Sequence, residues 1–492
     1  MKSKILNQIL FSGICYFLLN YAYAENNVRH IFPLDNYVQQ VNFWLRPTAV
    51  AYKQNLLGAN YQNARLKQLK HLYFGTECSD TSPWSKAYIQ SLLAANTHKT
   101  IYSGEEYYLH TFNNQGKAEN KLGYTMNYRV HNENWIQTIQ INMNLSQLQS
   151  LSYNQHNRAI ATDNMLLRIL PTNDPSFFNN SLPGEGYPLD NLQASSIYAG
   201  TPLYIIGSSS DQQWLLILAP DYIGWVSNKA VARVDNKFIQ RWQKAAYAKL
   251  AGIIQTNVSL IDQNNNYRFT GYVGMILPIL SENTKQIKVM LAVKQLNGTA
   301  TIQNAVLPKT AVVRLPLMAT PENFARIIKT LQLRPYGWGG LGFYNDCSAE
   351  MKAIFSVFGI YLPRNTSNQG LAGKVVDLKT ATPANRLAYV IKNAVPLLTL
   401  IHIKGHILLY IGNYVGSNGL LVPLSYQQRW GIAPYDQSYR AIVGQSVFLP
   451  LLSKYLEEPN LAPEVTSSVF ELIYLNQWPL HPLKQDLSEL LY

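Results

Sequence analysis

Four glycines fall within six positions (Gly337, Gly339, Gly340 and Gly342), and five residues further on Cys347 opens a helical pattern. Met351, Ile354, Phe355 and Phe358 recur at i, i+3, i+4 and i+7, which predicts a helix with one apolar face. Gly359 and Pro363 end that helix, and Asn345 or Asp346 can cap its start. The chain must therefore build a loop–cysteine–helix junction here. At a helix start, unpaired backbone N–H groups and the helix dipole stabilise a thiolate. The junction thus predicts a depressed Cys347 pKa and N–H groups able to hold an oxyanion.

A thiolate nucleophile needs a base. Thr399 to Gly412 reads as two strands joined at Lys404-Gly405, with His406 opening the second. His406 lies 59 positions beyond Cys347, so the two must meet in space rather than in sequence. His402, inside the first strand, is the rival base. The imidazole in turn needs an acceptor for its other nitrogen. The next strand, Leu420 to Gln427, offers Gln427 near its end, with Gln428 and Ser425 as close competitors. A lone buried cysteine is usually a small hydrophobe, and a lone histidine is more often structural. The glycine loop, Asp346, Ser348 and the helix set Cys347 apart, and Gly405 with the strand after it sets His406 apart.

The 492 residues exceed one ordinary core and predict three or four domains. A hydrophobic fraction of 47% with 14% charged residues suits a packed globular chain and excludes a disordered one. The first residues read as an export signal. Lys2 and Lys4 precede the apolar run Ile9 to Leu19, and Ala22-Tyr23-Ala24 supplies a cleavage site after Ala24. The run is short for a bilayer span, and no long apolar stretch follows, so stable membrane insertion is not expected. Cys15 invites a lipoprotein reading, but Ile14 stands where a small residue is expected. Loss of the signal's two lysines takes the net charge from +13 to +11, which favours anionic surfaces such as acidic wall polymers. No basic run is interleaved with aromatics, so nucleic acid is not an expected partner. Only Cys78 and Cys347 remain after cleavage, too few for a disulfide framework. The nine histidines are scattered without metal-ligand spacing, so no metal and no cofactor is expected.

The expected architecture is multi-domain. After the signal (1–24), an N-terminal domain (25–180) reads as helical to about 120. It then reads as extended, with Ile136, Ile139, Ile141 and Met143 on a rough alternation. Short strands, polar turns and the Tyr222-Ile-Gly-Trp-Val motif predict a small β-barrel over 181–236, and the same texture predicts a second over 255–318. A domain mixing helix and strand follows over 320–450, and 451–492 reads as a helical extension with several prolines.

Four blocks of this last domain resemble the NlpC/P60 cysteine peptidases: Tyr336-Gly-Trp-Gly-Gly, Asp346-Cys347-Ser348, Leu362-Pro363-Arg364-Asn365-Thr366-Ser367-Asn368-Gln369 and Gly405-His406-Ile-Leu-Leu-Tyr-Ile-Gly412. The two barrels resemble the paired bacterial SH3 domains of multi-domain members, and His71 to Trp84 resembles the N-terminal segment of the same subgroup. The resemblance implies a papain-like α+β domain and hydrolysis of the bond from γ-D-glutamate to a diamino acid such as meso-diaminopimelate. The implied partners are peptidoglycan stem peptides or muropeptides, recognised through a free N-terminal L-alanine, and the implied address is the periplasm. By the same resemblance Asp346 pairs with the substrate ammonium and Ser348 hydrogen-bonds beside it. Tyr336 faces the scissile carbonyl, Tyr222 closes the groove, and Asn365 and Thr366 line the site. Asn365-Thr366 stand where the family pattern has Asp-Ser. The family's usual third histidine is missing too, since none follows His406 until His481, so an amide such as Gln427 must serve. The alternatives are a non-catalytic wall-binding protein, or an amidase or acyltransferase on the same scaffold.

Overall fold

The computed structural model describes residues 30–75, 81–94 and 97–480. The expected export signal, Cys15, Cys78 and His481 lie outside them. The N-terminal region is helical, with α1 (Ala59–Phe74), α2 (Lys86–Leu92), α3 (Thr97–Phe112) and α4 (Glu133–Met143). The last of these corrects the extended reading of 121–170 over Glu133–Met143, while Arg158–Ala161 and Met165–Arg168 are strands as read. Asn132 caps α4 by accepting from Trp135 N at 3.0 Å, and Ile136, Ile139 and Met143 are buried at helical spacing. Ile141, which an alternating strand would bury with its neighbours, is 77% exposed.

The first barrel is a seven-stranded antiparallel sheet. Its strands are β1 (Arg158–Ala161), β2 (Met165–Arg168), β3 (Gln193–Ile197), β4 (Pro202–Ser208), β5 (Trp214–Ala219), β6 (Tyr222–Ser227) and β7 (Val231–Arg233), ordered β3-β2-β6-β5-β4-β1-β7. It takes two strands from before residue 181. The irregular stretch 169–192 between β2 and β3 hides their continuity in the sequence. Helix α5 (Asn236–Ala248), capped by Asp235, leads to the second barrel. There β8 (Leu250–Ile253), β9 (Val258–Ile261), β10 (Tyr267–Gly271), β11 (Ile276–Glu282), β12 (Gln286–Lys294), β13 (Ala300–Pro308) and β14 (Val312–Arg314) form a sheet β13-β12-β11-β8-β14 and a β9–β10 ribbon.

The C-terminal domain opens with α6 (Pro321–Leu331), which has Thr320 at its N-cap and Pro321 in its first turn, a standard helix start. Helix α7 (Cys347–Val357) follows the glycine loop, and α8 (Pro383–Asn393) comes later. The sheet comprises β15 (Lys374–Asp377), β16 (Thr399–Ile403), β17 (His406–Val415), β18 (Leu421–Ile432), β19 (Ala441–Pro450) and β20 (Phe470–Tyr474), ordered β15-β20-β16-β17-β18-β19. Strand β20 corrects the helical reading of the tail. Pro459 and Pro463 bar a long helix, and the β-forming run Phe470 to Tyr474 fills an inner slot of the sheet, pairing with both β15 and β16.

The domains are not beads on a string. One apolar core joins Leu66 and Phe74 of α1, Trp242 of α5, Phe324 of α6 and Phe355 of α7. Trp84 Nε1 donates to Ala159 O on β1 at 2.8 Å, which ties the N-terminal segment to the first barrel. Among the described residues no helix is long and apolar enough to cross a membrane.

Glu105 of α3 is buried against that barrel and accepts from Trp225 Nε1 at 2.7 Å. Burial pushes its carboxyl from 4.5 up to about 8, and the Trp225 hydrogen bond only partly offsets this. The folded state thus favours the protonated acid. Below pH 4.5 both states hold the proton; from there to about pH 8 the unfolded chain ionises first and stability falls. Glu105→Gln removes that loss, so its Tm gain should be larger at pH 8 than at pH 5 in thermal unfolding. Equal shifts at both pH values would rule this out.

Candidate active site

Cys347 is the first residue of α7 and is 6% exposed. Asp346 caps the helix, its Oδ1 accepting from Ala349 N at 3.0 Å. The same carboxylate accepts twice from Arg364, Nη1 to Oδ1 at 3.0 Å and Nη2 to Oδ2 at 2.6 Å. Arg364 Nη1 also donates to Ser348 Oγ at 2.8 Å, and its Nε donates to Ser195 Oγ of β3 at 2.9 Å. Burial opposes the Arg364 charge, but Asp346 beside it, together with Tyr222 and Asp221, outweighs burial and raises its pKa. A side chain of the first barrel is therefore part of the network at the cysteine-bearing helix start.

The glycine loop exists because that barrel presses on it. Gly339 and Gly340 both have positive φ, 58° and 80°. A Cβ on Gly339 would collide with the Gln193 carbonyl of β3, and one on Gly340 would come within 2.6 Å of Ser196 Oγ. Gln193 Nε2 donates to Gly339 O at 2.8 Å, and Lys352 of α7 pairs with Asp221 beside Tyr222.

His406 opens β17, and the backbone N–H of the next residue, Ile407, is directed at the Cys347 sulfur. His406 Nε2 lies 2.7 Å from Gln427 Oε1. A chain of hydrogen bonds sets the amide's orientation. Ser425 Oγ donates to Leu449 O at 2.8 Å, so it offers a lone pair to Gln427 Nε2 at 3.1 Å, and the amide oxygen must face the imidazole. Nε2 then carries the hydrogen, and Nδ1 is left as acceptor. The competitors lie elsewhere: Ser425 sits behind Gln427, and Gln428 Nε2 donates to Ser446 Oγ at 2.9 Å and to Arg334 O and Pro335 O, each at 3.2 Å. His402 is committed to Glu471 on β20, Nδ1 to Oε2 at 2.8 Å.

The remaining sequence candidates divide. Tyr336 stacks at a tilt on Trp430, with centroids 5.9 Å apart. Burial, then the charges of Cys347 and Asp346, raise its phenol far above the usual value. Burial raises the Tyr222 phenol, and the Arg364 charge partly offsets this. Asn365 spends Oδ1 capping the short helix Thr366–Gln369, accepting from Asn368 N at 2.8 Å. That helix delivers Gln369, whose Nε2 donates to Ser348 O and Pro363 O, both at 2.8 Å. Arg364, Gln193, Ser195 and Gln369 escaped the sequence reading as site residues. Arg364 and Gln369 stood inside a recognised motif. Gln193 lies 146 positions before Gly339 and Ser195 169 before Arg364, and no local pattern marks them. Among the described residues, no group of three or more His, Cys, Asp or Glu could hold a metal ion.

The depressed thiol expected from the helix start is not what the folded site produces. Burial, then Asp346, push Cys347 from 9.0 up to about 12; Arg364 and the N–H groups of Ile407 and Ser348 only partly compensate. Burial, then the Arg429 charge, hold His406 well below its ordinary value. The unliganded pair is a thiol and a neutral imidazole.

Residues 175–227 match the family model of an SH3 domain of the SH3b1 type, and residues 235–283 match an SH3 domain of the SH3b2 type. A solved NlpC/P60 endopeptidase from Photobacterium damselae subsp. piscicida is 26% identical, with a TM-score of 0.78 over 92% of this chain and 100% of its own. A curated relative, the γ-D-glutamyl-L-lysine dipeptidyl-peptidase of Bacillus subtilis (strain 168), is 35% identical over 88 residues. That stretch is 18% of this chain and 26% of the relative, so the match spans about a quarter of that protein. In fold and sequence the chain is similar to cysteine peptidases of the NlpC/P60 type. Two bacterial SH3 domains stand ahead of the NlpC/P60-like domain.

Iodoacetamide should label Cys347 slowly at pH 7 and faster throughout the alkaline range, because the thiol is raised and not lowered. A labelling profile that levels off with a midpoint below pH 8 would contradict the thiol–imidazole resting state.

Proposed function

We propose that the chain hydrolyses the bond from γ-D-glutamate to a diamino acid, meso-diaminopimelate in particular, in cell-wall stem peptides or muropeptides. The observation that carries this reading is the hydrogen bond from His406 Nε2 to Gln427 Oε1, at the strand start whose next N–H faces the Cys347 sulfur. It leaves Nδ1 free to act as a base. The Photobacterium endopeptidase and the Bacillus dipeptidyl-peptidase support the substrate class.

When the peptide displaces water, His406 Nδ1 takes the Cys347 proton and the sulfur attacks the γ-glutamyl carbonyl. The N–H groups at the start of α7 and the Tyr336 hydroxyl meet the oxyanion. His406 then protonates the leaving amine, and the thioester is hydrolysed by a water that His406 deprotonates. The low His406 pKa keeps the base form available in mild acid. The free amino end of the peptide meets Ser348, Tyr222 and Asp346. Since Arg364 already neutralises Asp346, the ammonium is held by an ion pair and a phenol together. Tyr222 walls off the groove, which confines the enzyme to peptides with a free N-terminal L-alanine. The wall substrate places the working enzyme outside the cytoplasm, in keeping with the export signal expected over residues 1–24.

The test is to incubate the purified protein with L-Ala-γ-D-Glu-meso-diaminopimelate and with its amino-blocked analogue, and to follow products by mass spectrometry. Cleavage of the free peptide alone is expected. No cleavage of either would overturn the reading, and equal cleavage of both would overturn the free-amine restriction. Cys347→Ala should abolish turnover. Gln427→Ala should lower kcat by roughly 10- to 100-fold with little change in KM, as expected for losing the group that orients a general base.

A further inference from the structure

One buried carboxylate beside the site has no part in the mechanism above. Glu350 lies one turn into α7 and is 1% exposed. Its Oε1 accepts from Tyr426 Oη at 2.6 Å and from Ser446 Oγ at 2.8 Å, and its Oε2 accepts from Asn345 Nδ2 at 2.6 Å. Three uncharged donors from three separate segments thus converge on one acid. Asn345 sits two residues before Cys347. Tyr426 is the residue before Gln427 on β18. Ser446, on β19, also accepts from Gln428 Nε2 at 2.9 Å, so the residue after Gln427 is held as well.

We propose that Glu350 is the positioning residue that sets the strand carrying Gln427 against the helix carrying Cys347. Successive side chains of a strand point to opposite faces. Gripping Tyr426 and Gln428 on the α7 side therefore aims Gln427 at His406 from the other. Gln428 extends the grip to the Arg334 and Pro335 carbonyls, immediately before Tyr336. One carboxylate thereby links the approach to the thiol, the strand that orients the imidazole and the segment bearing the phenol. Burying an acid is unfavourable unless its oxygens are satisfied, and here both are engaged by donors whose loss would shift catalytic segments. A leucine of similar size fills the space and accepts nothing. It removes the acceptor that Tyr426, Ser446 and Asn345 share and leaves β18 free to shift.

The rate readout rests on the peptidase reading; the labelling readout does not. Glu350→Leu should lower kcat about 100-fold, the scale of a misplacement of about 1 Å, with KM nearly unchanged. Glu350→Gln keeps the Oε1 acceptor, and Asn345 can turn its own oxygen to the new amide, so most of the rate should return. The decisive measurement is a double-mutant cycle with Gln427→Ala, read both in kcat and in the iodoacetamide labelling rate of Cys347 at pH 8. If Glu350 acts through Gln427, Glu350→Leu changes little further in the Gln427→Ala background in either readout. Additive losses, or a loss confined to Tm and KM, would overturn the proposal. If Glu350→Leu fails to fold, Tyr426→Phe, which removes one donor at nearly constant volume, takes its place in the same cycle. Should the wild type cleave no peptide, the peptidase reading falls. The labelling cycle still decides the role of Glu350.

Discussion

The pairing of Arg364 with Asp346 organises everything near the thiol. A buried ion pair is tolerated only when its remaining donors and acceptors are also placed, and removing one partner typically costs about 3–5 kcal/mol. Here Arg364 spends its donors on Asp346, Ser348 and Ser195. Asp346 spends its acceptors on Arg364, the Ala349 N–H and, at 3.2 Å, the Gly339 N–H. The helix cap, the glycine loop, the Leu-Pro-Arg turn and the first barrel thus share one electrostatic knot. The barrel is a wall of the site, and the loop glycines are the residues that let that wall come close.

Two opposed effects meet at Cys347. The helix start offers partial positive charge and free N–H groups, a benefit of about 0.3–1 kcal/mol in exposed settings. Burial acts the other way and can move a group by several pH units. In the unliganded site burial is the larger, so the thiol keeps its proton and the imidazole stays neutral. An uncharged pair also leaves the sulfur less open to oxidation than a thiolate would be.

Local patterns in the sequence carried much of this. The loop–cysteine–helix junction and the Lys404-Gly405 turn both show on the letters, because glycine placement and short periodicities act over a few residues. So does the strand that puts Gln427 2.7 Å from His406. The errors have physical causes too. Apolar residues at 139, 141 and 143 alternate like a strand while 136, 139 and 143 keep helical spacing, and the exposure of Ile141 separates the two. The partnership of Arg364 with Ser195 spans 169 positions, and β20 finds its slot only through pairing with distant strands. Such contacts leave no periodicity behind them.

The place of β20 has a temporal meaning. The strand lies between β15 and β16, yet it is made after every other strand of its sheet. Synthesis delivers Cys347, His406 and Gln427 well before residue 470, so the site's side chains all precede the strand that joins β15 to the rest of their sheet. The sheet is therefore continuous from β15 to β19 only once residues 470–474 are in place.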